Sequence, residues 1–281
     1  MSELLTIDIG NTTISLGVFS AKGARLPPAC RSGRDGQGSA RIKHFGGGKG
    51  KKLVLHFKLA TGKRATYKKD ILRAFNKGNI KVRDISKIVV CSVVPKETGI
   101  FKSVLSRLFQ KKVLLVDSDI KIPIKNKYRN PKQVGQDRLV NAYTGLKLYG
   151  PGLILVDFGT AISFDVVSKK EEYLGGLIFP GLDLSLAALN KKAALLPRIK
   201  IKKPKSLVGR DTITSISNGI VFGMAGACDQ IIERLQKRFR DYKIIVTGGN
   251  ANFIKKYSKK IKIVRPFLTL EGLRILSELS I

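Results

Sequence analysis

Leu4-Leu5-Thr6-Ile7-Asp8-Ile9-Gly10-Asn11-Thr12-Thr13 decides the fold of this chain, because the pattern occurs twice. The second copy, Leu153-Ile154-Leu155-Val156-Asp157-Phe158-Gly159-Thr160-Ala161, places its aspartate 149 residues after Asp8. Each copy is a short apolar run with the character of a buried strand, then Asp-x-Gly and a hydroxyl residue. A second β-rich run follows, 14–19 in one case and 162–167 in the other. Such a turn suits phosphate chemistry. Glycine lets the backbone approach a ligand closely, N–H groups and threonine hydroxyls donate to phosphate oxygens, and the aspartate can hold a cation. One copy alone would read as an ordinary hairpin with a polar turn. Two copies at a domain-sized interval favour a duplicated nucleotide-binding fold.

The pattern resembles the acetate kinase, sugar kinase, Hsp70 and actin superfamily. That resemblance implies an α/β fold: two related domains of the actin-like ATPase (ribonuclease H-like) type, with ATP in the cleft between them. The expected domains are 1–118 and 119–281. The other common phosphate device, the Walker A loop G-x-x-x-x-G-K-[ST], is absent. Gly50-Lys51 comes closest, but Lys52 follows where Ser or Thr belongs and Phe45 stands in place of the first glycine. No G-x-G-x-x-G opens a helix after a strand, which disfavours a dinucleotide-binding enzyme.

With 281 residues, 43% of them hydrophobic, the chain can bury a substantial core and accommodate two ordinary domains. No apolar stretch reaches the length of a membrane span, and with no basic, apolar leader pattern visible before the first strand, no signal peptide is expected. Cys30, Cys91 and Cys228 are too few and too scattered for a disulfide framework or a zinc site. His44 and His56 show no metal-ligand spacing. A reducing cytoplasm is the expected location, with no membrane partner.

Charge is the unusual property. Lys and Arg number 53 against 20 Asp and Glu, a formal net of +33. Residues 22–87 carry 19 bases and three acids, close to half of that excess. Within them, 21–50 is rich in Gly, Arg and Lys with little hydrophobic periodicity, and reads as a long, mobile basic insertion after the second strand. Its Gly46–Lys52 run could touch phosphates, but solvated loop is the plainer role. Interleaved basic and aromatic residues are not evident and tryptophan is absent, so no specific nucleic acid is expected.

Elsewhere the pattern is regular. Residues 53–59 alternate as a strand, 67–75 have helical spacing, and 88–94 form a continuous apolar run suited to a central parallel strand. Helices are expected at 98–109, 182–196 and 216–239, and strands at 112–116 and 243–247. The last strand runs into Gly248-Gly249-Asn250-Ala251, where bare backbone and a helix start could clamp a nucleotide. Another constellation, Tyr128 to Ala142, passes from a proline-containing loop into an amphipathic helix. There Gly135 permits close approach, Asp137 can act as a base, and Arg138 offers a fork of donors for a carboxylate or phosphate. The same residues also suit a simple helix start, with Asp137 capping N–H groups and Arg138 pairing with it.

At this point the chain resembles the type III pantothenate kinase family. The carrying residues are Asp8-Ile9-Gly10-Asn11-Thr12, Ser92-Val93-Val94-Pro95, Tyr128 seven residues before Gly135-Gln136-Asp137-Arg138, and Asp157-Phe158-Gly159-Thr160-Ala161. They continue with Gly175-Gly176-Leu177-Ile178-Phe179-Pro180-Gly181, Gly209-Arg210-Asp211-Thr212, Thr247-Gly248-Gly249 and Leu268-Thr269-Leu270-Glu271-Gly272-Leu273. The resemblance implies ATP-dependent phosphorylation of pantothenate to 4′-phosphopantothenate, the first committed step of coenzyme A synthesis. It implies that Asp8, Ile9, Gly10, Asn11, Thr12, Thr13, Ile14 and Ser15 line the ATP phosphates, with Thr160 donating from the second hairpin. Asp157 would bind a monovalent cation, potassium or ammonium, and Mg2+ would accompany ATP near Asp8. Tyr128, Gly135, Gln136, Asp137, Arg138 and Thr212 would hold pantothenate, with Asp137 accepting the proton of its primary hydroxyl. A homodimer, with apolar stretches such as 182–196 buried in it, is also implied.

Two departures stand out. Tyr67-Lys68-Lys69 replaces the acidic residues usual in the family, and the basic insertion has no counterpart there. The competing expectation is a non-catalytic accessory protein that keeps the kinase fold and binds nucleic acid through its basic surface. Asp8, Asp137, Arg138, Asp157 and Thr160 together argue against it, since a scaffold needs neither a base nor a cation site. Another small-molecule kinase of the superfamily would differ only around Tyr128 and Thr212.

Overall fold

Two apolar runs joined by a polar turn form a hairpin. In the computed structural model, which describes residues 3–21, 51–192 and 197–279, β1 (Glu3–Ile9) pairs antiparallel with β2 (Thr13–Ser20). β3 (Lys52–Ala60) continues antiparallel to β2, with Ser20 opposite Lys52. Residues 22–50 of the expected insertion lie outside the described residues. Helix α1 (Tyr67–Lys77) buries Tyr67, Ile71 and Phe75, a stripe at four-residue spacing. The apolar run expected to be a central strand is β4 (Ile85–Ser92), parallel to β1 on one side. Helix α2 (Pro95–Phe109) begins earlier than its periodicity indicates, because proline's fixed φ suits a first helical turn. β5 (Val113–Leu115) then pairs parallel with the other side of β4.

The chain continues through β6 (Lys125–Asn126), α3 (Gln136–Tyr149), β7 (Leu153–Phe158), β8 (Ala161–Val167) and β9 (Glu172–Pro180). Next come α4 (Leu182–Lys192), α5 (Thr212–Arg238), β10 (Lys243–Thr247), α6 (Ala251–Ile254), β11 (Ile263–Val264) and α7 (Leu268–Ser277). The end of the expected 182–196 helix, 193–196, lies outside the described residues. Helix α5 starts at Thr212 because Asp211 caps it: Asp211 Oδ1 accepts from Thr214 N at 2.8 Å, and Thr214 Oγ1 accepts from Asp211 N at 3.3 Å. β9 was not expected as a strand, since Gly175-Gly176 interrupts it. Gly176 is there because the backbones crowd: a Cβ on it would lie 1.7 Å from the Phe164 carbonyl oxygen.

The first sheet has the order β3-β2-β1-β4-β5 and the second β11-β10-β7-β8-β9-β6. In the second, β9-β8-β7-β10-β11 repeats the first strand for strand, with the same parallel and antiparallel senses. The duplication seen in one short motif thus extends over five strands. Each sheet has its own core. In the first, Ile7, Ile9, Leu16 and Val90 pack with Tyr67, Phe75 and Phe101 of α1 and α2. In the second, Ile154, Val156, Phe164 and Val246 pack with Val221, Met224 and Ile232 of α5.

Two compact units result. Unit 1 comprises 1–123, 135–140 and 269–281; unit 2 comprises 124–134 and 141–268. The first unit takes in the start of α3 and nearly all of α7. Among the described residues no helix is long and apolar enough to cross a membrane.

Candidate active site

In unit 1, Asp8 lies one residue from the end of β1, opposite Ser15 on β2 and Cys91 on β4. Strand alternation turns Ile7 and Ile9 into the core, so Asp8 faces the other side of the sheet. Gly10 N donates to Thr13 O at 3.0 Å and closes the turn. The loop after β3 braces that turn: Thr61 N donates to Thr12 O at 3.1 Å and Thr61 Oγ1 to Gly10 O at 2.7 Å. The brace is itself anchored. Gly62 N donates to Tyr67 Oη at 2.8 Å, and Tyr67 Oη donates to Glu97 Oε2 at 2.9 Å. Arg64 reaches Glu97 Oε1 at 2.6 Å, and that guanidinium holds the buried Glu97 carboxyl below the usual range. With the carbonyls of residues 10 and 12 occupied, Asn11 and Thr12 stand exposed at the tip. Ser15 Oγ shares a hydrogen bond of 3.0 Å with His56 Nε2. Burial, and secondarily the Lys58 charge, push the His56 ring down to about 4, so it is neutral at pH 7.

Gly135, Gln136, Asp137 and Arg138 form the start of α3 and belong to the same unit. Asp137 Oδ1 accepts from Arg138 N at 2.8 Å, which fixes the carboxylate at the head of the helix. A Cβ added at Gly135 would lie 2.5 Å from that oxygen and 3.5 Å from Val93 Cγ1, so this segment sits against the end of β4. Cys91 links the two parts. Its buried thiol is pushed well up, first by burial and then by the carboxylates of Asp8 and Asp137. Asp8 is the cross-strand neighbour of Cys91, and Asp137 heads a helix whose start sits against the end of β4. Both therefore lie towards the carboxyl ends of β1 and β4, where open α/β sheets bind ligands.

Unit 2 repeats the arrangement. Asp157 stands opposite Ser163 on β8 and Thr247 on β10. Asn141, on α3, donates from Nδ2 to Asp157 Oδ2 at 3.0 Å. Gly248 follows β10 with φ +95°, and a Cβ there would lie 2.5 Å from Asp157 Oδ1, so only glycine brings this turn against the carboxylate. The helix expected after it is the single turn α6. Thr160 occupies the β7–β8 turn, and its carbonyl accepts from Gly181 N at 3.1 Å. Tyr128 is held by its N–H, which donates to Asn126 Oδ1 at 2.9 Å, and its ring lies over Gly175 of β9. Thr212 is exposed at the first position of α5, and no hydrogen bond among the described residues joins it to Tyr128, Asp157 or Thr160.

Sequence reasoning missed four partners: Asn141, Thr61, His56 and Cys91. For Asn141 a signal existed, since it lies four residues after Asp137 and so on the same helix face. Thr61, His56 and Cys91 act through strand register, which no local pattern announces.

The family model for type III pantothenate kinase matches residues 4–234. The chain belongs to the type III pantothenate kinase family. Membership makes it a phosphotransferase, a kinase of coenzyme A biosynthesis that uses ATP with a divalent metal. Among solved structures, this kinase chain is similar to a Baf family protein from Campylobacter jejuni, at 19% identity and a TM-score of 0.53, over 98% of this chain and 97% of that one. It is also similar to the ethanolamine utilization protein EutJ from Carboxydothermus hydrogenoformans, at 13% identity and a TM-score of 0.51, over 98% and 89% of the two chains. At these identities the likeness concerns the fold alone, which is the actin-like ATPase type.

Proposed function

We propose that this chain transfers the γ-phosphoryl group of ATP to the primary hydroxyl of pantothenate, with Asp137 as general base. The observation that supports this best is that Asp8 stands near the end of β1 while the start of α3, with Asp137, sits against the end of the neighbouring parallel strand β4. Phosphoryl transfer needs in-line positioning and charge neutralisation rather than covalent help. A carboxylate fixed at a helix start, in the same unit as a hairpin whose tip residues Asn11 and Thr12 are exposed, would meet the first need and supply a proton acceptor. Asp8 to Ser15 line the phosphates on this reading, and Thr160 adds a donor. Tyr128, Gly135, Gln136, Arg138 and Thr212 hold pantothenate, Arg138 facing its carboxylate.

Asp8 and Asp157 both offer oxygen, the donor that hard cations take. Asp8 would face magnesium, and Asp157 a potassium or ammonium ion. Bound cations of this kind neutralise phosphate charge. A homodimer would cover exposed apolar side chains such as Leu184 and Leu189 of α4. Nucleic-acid binding by the basic surface is the second reading, favoured by the +33 net charge alone.

A coupled assay for ADP release tests the proposal, with pantothenate present or omitted and potassium exchanged for sodium. ADP release that requires pantothenate and is faster in potassium is expected. Release indifferent to pantothenate, or none, would overturn it.

A further inference from the structure

One face of the first sheet is covered by α1 and α2, and the other carries a row of functional groups. Ser15 stands opposite Lys58, Asp8 opposite Ser15, and Cys91 opposite Asp8, so Lys58, Ser15, Asp8 and Cys91 run straight across four strands. Residues directly opposite in a sheet project from the same face, with neighbouring Cβ atoms about 5 Å apart. The facing of Lys58 is fixed twice over. Phe57 and Leu59, on either side of it, pack against the core. His56, two residues away and therefore on the Lys58 face, reaches Ser15 Oγ at 3.0 Å.

Lys58 also lies beside the phosphate turn. Two residues on, Ala60 is opposite Thr13, and Thr61 N then binds Thr12 O. The neighbouring cation Arg64 is committed to Glu97 at 2.6 Å. Lys58 is exposed and forms no ion pair among the described residues. A lysine on an edge strand ordinarily serves to discourage strand pairing. This one, however, shares a row and a face with the hydroxyl and carboxylate of the hairpin, and its charge is felt at His56.

We propose that Lys58 is a phosphate-binding residue of the nucleotide site, its ammonium passing over Ser15 to donate to phosphate oxygens of ATP. The inference rests on the reading that the Asp8–Ser15 hairpin lines those phosphates. Lysine acts here as a compact point charge, the role it takes at other phosphate sites. The arrangement places a cation-binding carboxylate and an ammonium on either side of Ser15. A triphosphate with its magnesium, negative but metal-bearing, is matched by both.

The test compares the full-length wild type with Lys58→Met, Lys58→Gln and Lys58→Arg. Lys52→Met serves as the control, removing one charge from the far end of the same strand. ATP and adenosine binding are measured by calorimetry, KM for ATP in the coupled assay, and folding by thermal melting. Losing one charge-assisted hydrogen bond should raise Kd and KM for ATP about tenfold or more in Lys58→Met and Lys58→Gln. Adenosine binding should be unchanged, Lys58→Arg should recover part of the loss, and Lys52→Met should stay within about twofold. Wild-type ATP affinity in the folded Lys58 variants would overturn the role of Lys58 and leave the hairpin reading standing. An equal loss in Lys52→Met would also overturn it, since the effect would then be the general positive field. A wild type that binds no ATP would remove the hairpin reading and Lys58 with it.

Discussion

Asn141 Nδ2 donates to Asp157 Oδ2 at 3.0 Å, so helix α3 orients the carboxylate at the end of β7. Asn141 is itself buried, and its amide has little freedom to turn elsewhere. Asn141→Leu should therefore release the carboxylate while keeping much of the side-chain volume. A hydrogen bond to a charged group contributes about 1.5–3 kcal/mol, so activity should fall roughly ten- to hundredfold. The potassium concentration needed for half activation should rise at the same time. Unchanged potassium dependence in a folded variant would detach Asn141 from the proposed cation site.

The two aspartates of the repeated motif should separate by cation. Asp157→Ala should weaken potassium activation, whereas Asp8→Ala should weaken the use of magnesium ATP. Both are oxygen donors in equivalent positions of equivalent sheets, yet magnesium demands tight octahedral geometry and keeps bound water. Titrating each variant with each cation checks this. Identical profiles would mean that the two hairpins do not divide the work.

Asp137→Asn should abolish turnover and spare the fold. The asparagine carbonyl can still accept from Arg138 N, now 2.8 Å from Asp137 Oδ1, so the helix start survives. What is lost is the proton acceptor, commonly worth about two to four orders of magnitude in rate. Gly135→Ala offers an independent probe. Its new methyl would meet Asp137 Oδ1 at 2.5 Å and displace the carboxylate, with no backbone in the way. It should lower kcat while the melting temperature changes little. A kcat near wild type in either variant would remove Asp137 from the chemistry.

His56 should make stability depend on pH. Its ring titrates at about 4 in the fold against an ordinary 6.5, so the unfolded chain takes up the proton first as pH falls. The contribution of the neutral ring is complete above pH 6.5 and is lost progressively as pH drops to about 4. Over that window the loss should be about 3 kcal/mol. Urea unfolding at pH 7 and at acid pH, for wild type and His56→Gln, measures it. The two proteins should converge in stability towards acid pH, and parallel curves would exclude the ring as the cause.

The sequence announced whatever is local or repeated. The Asp-x-Gly motif identified both hairpins because each is one apolar run, one turn and another run, and the apolar stretch before Pro95 identified β4. It did not announce β9, whose glycines are dictated by crowding against Phe164 and by the Tyr128 ring, partners distant in sequence. Nor did it reveal that Cys91 stands beside Asp8 or that the start of α3 sits against the end of β4, because strand register and the path of α3 decide that. The start of α5 was hidden for another reason. Hydrophobic periodicity begins only after the Asp211 cap, which is a polar feature.

The basic segment 22–50 should be dispensable for kinase activity. Ser20 stands opposite Lys52 in the β2–β3 pair, so the chain ends flanking the segment are adjacent and a short turn can join them. The hairpin tip and Thr61 lie at the other end of those strands. Replacing 22–50 by a two-residue turn should leave kcat and KM within about twofold, since a redesigned surface turn remote from a site rarely shifts either. The same deletion removes seven bases and one acid. Any binding of DNA or RNA by the intact chain should be non-specific and steeply salt-dependent, arising from Lys and Arg on phosphates, and should fall sharply in the deletion. Tight binding of one defined sequence at physiological salt, lost on deletion, in a chain that never shows kinase activity, would instead establish the nucleic-acid reading.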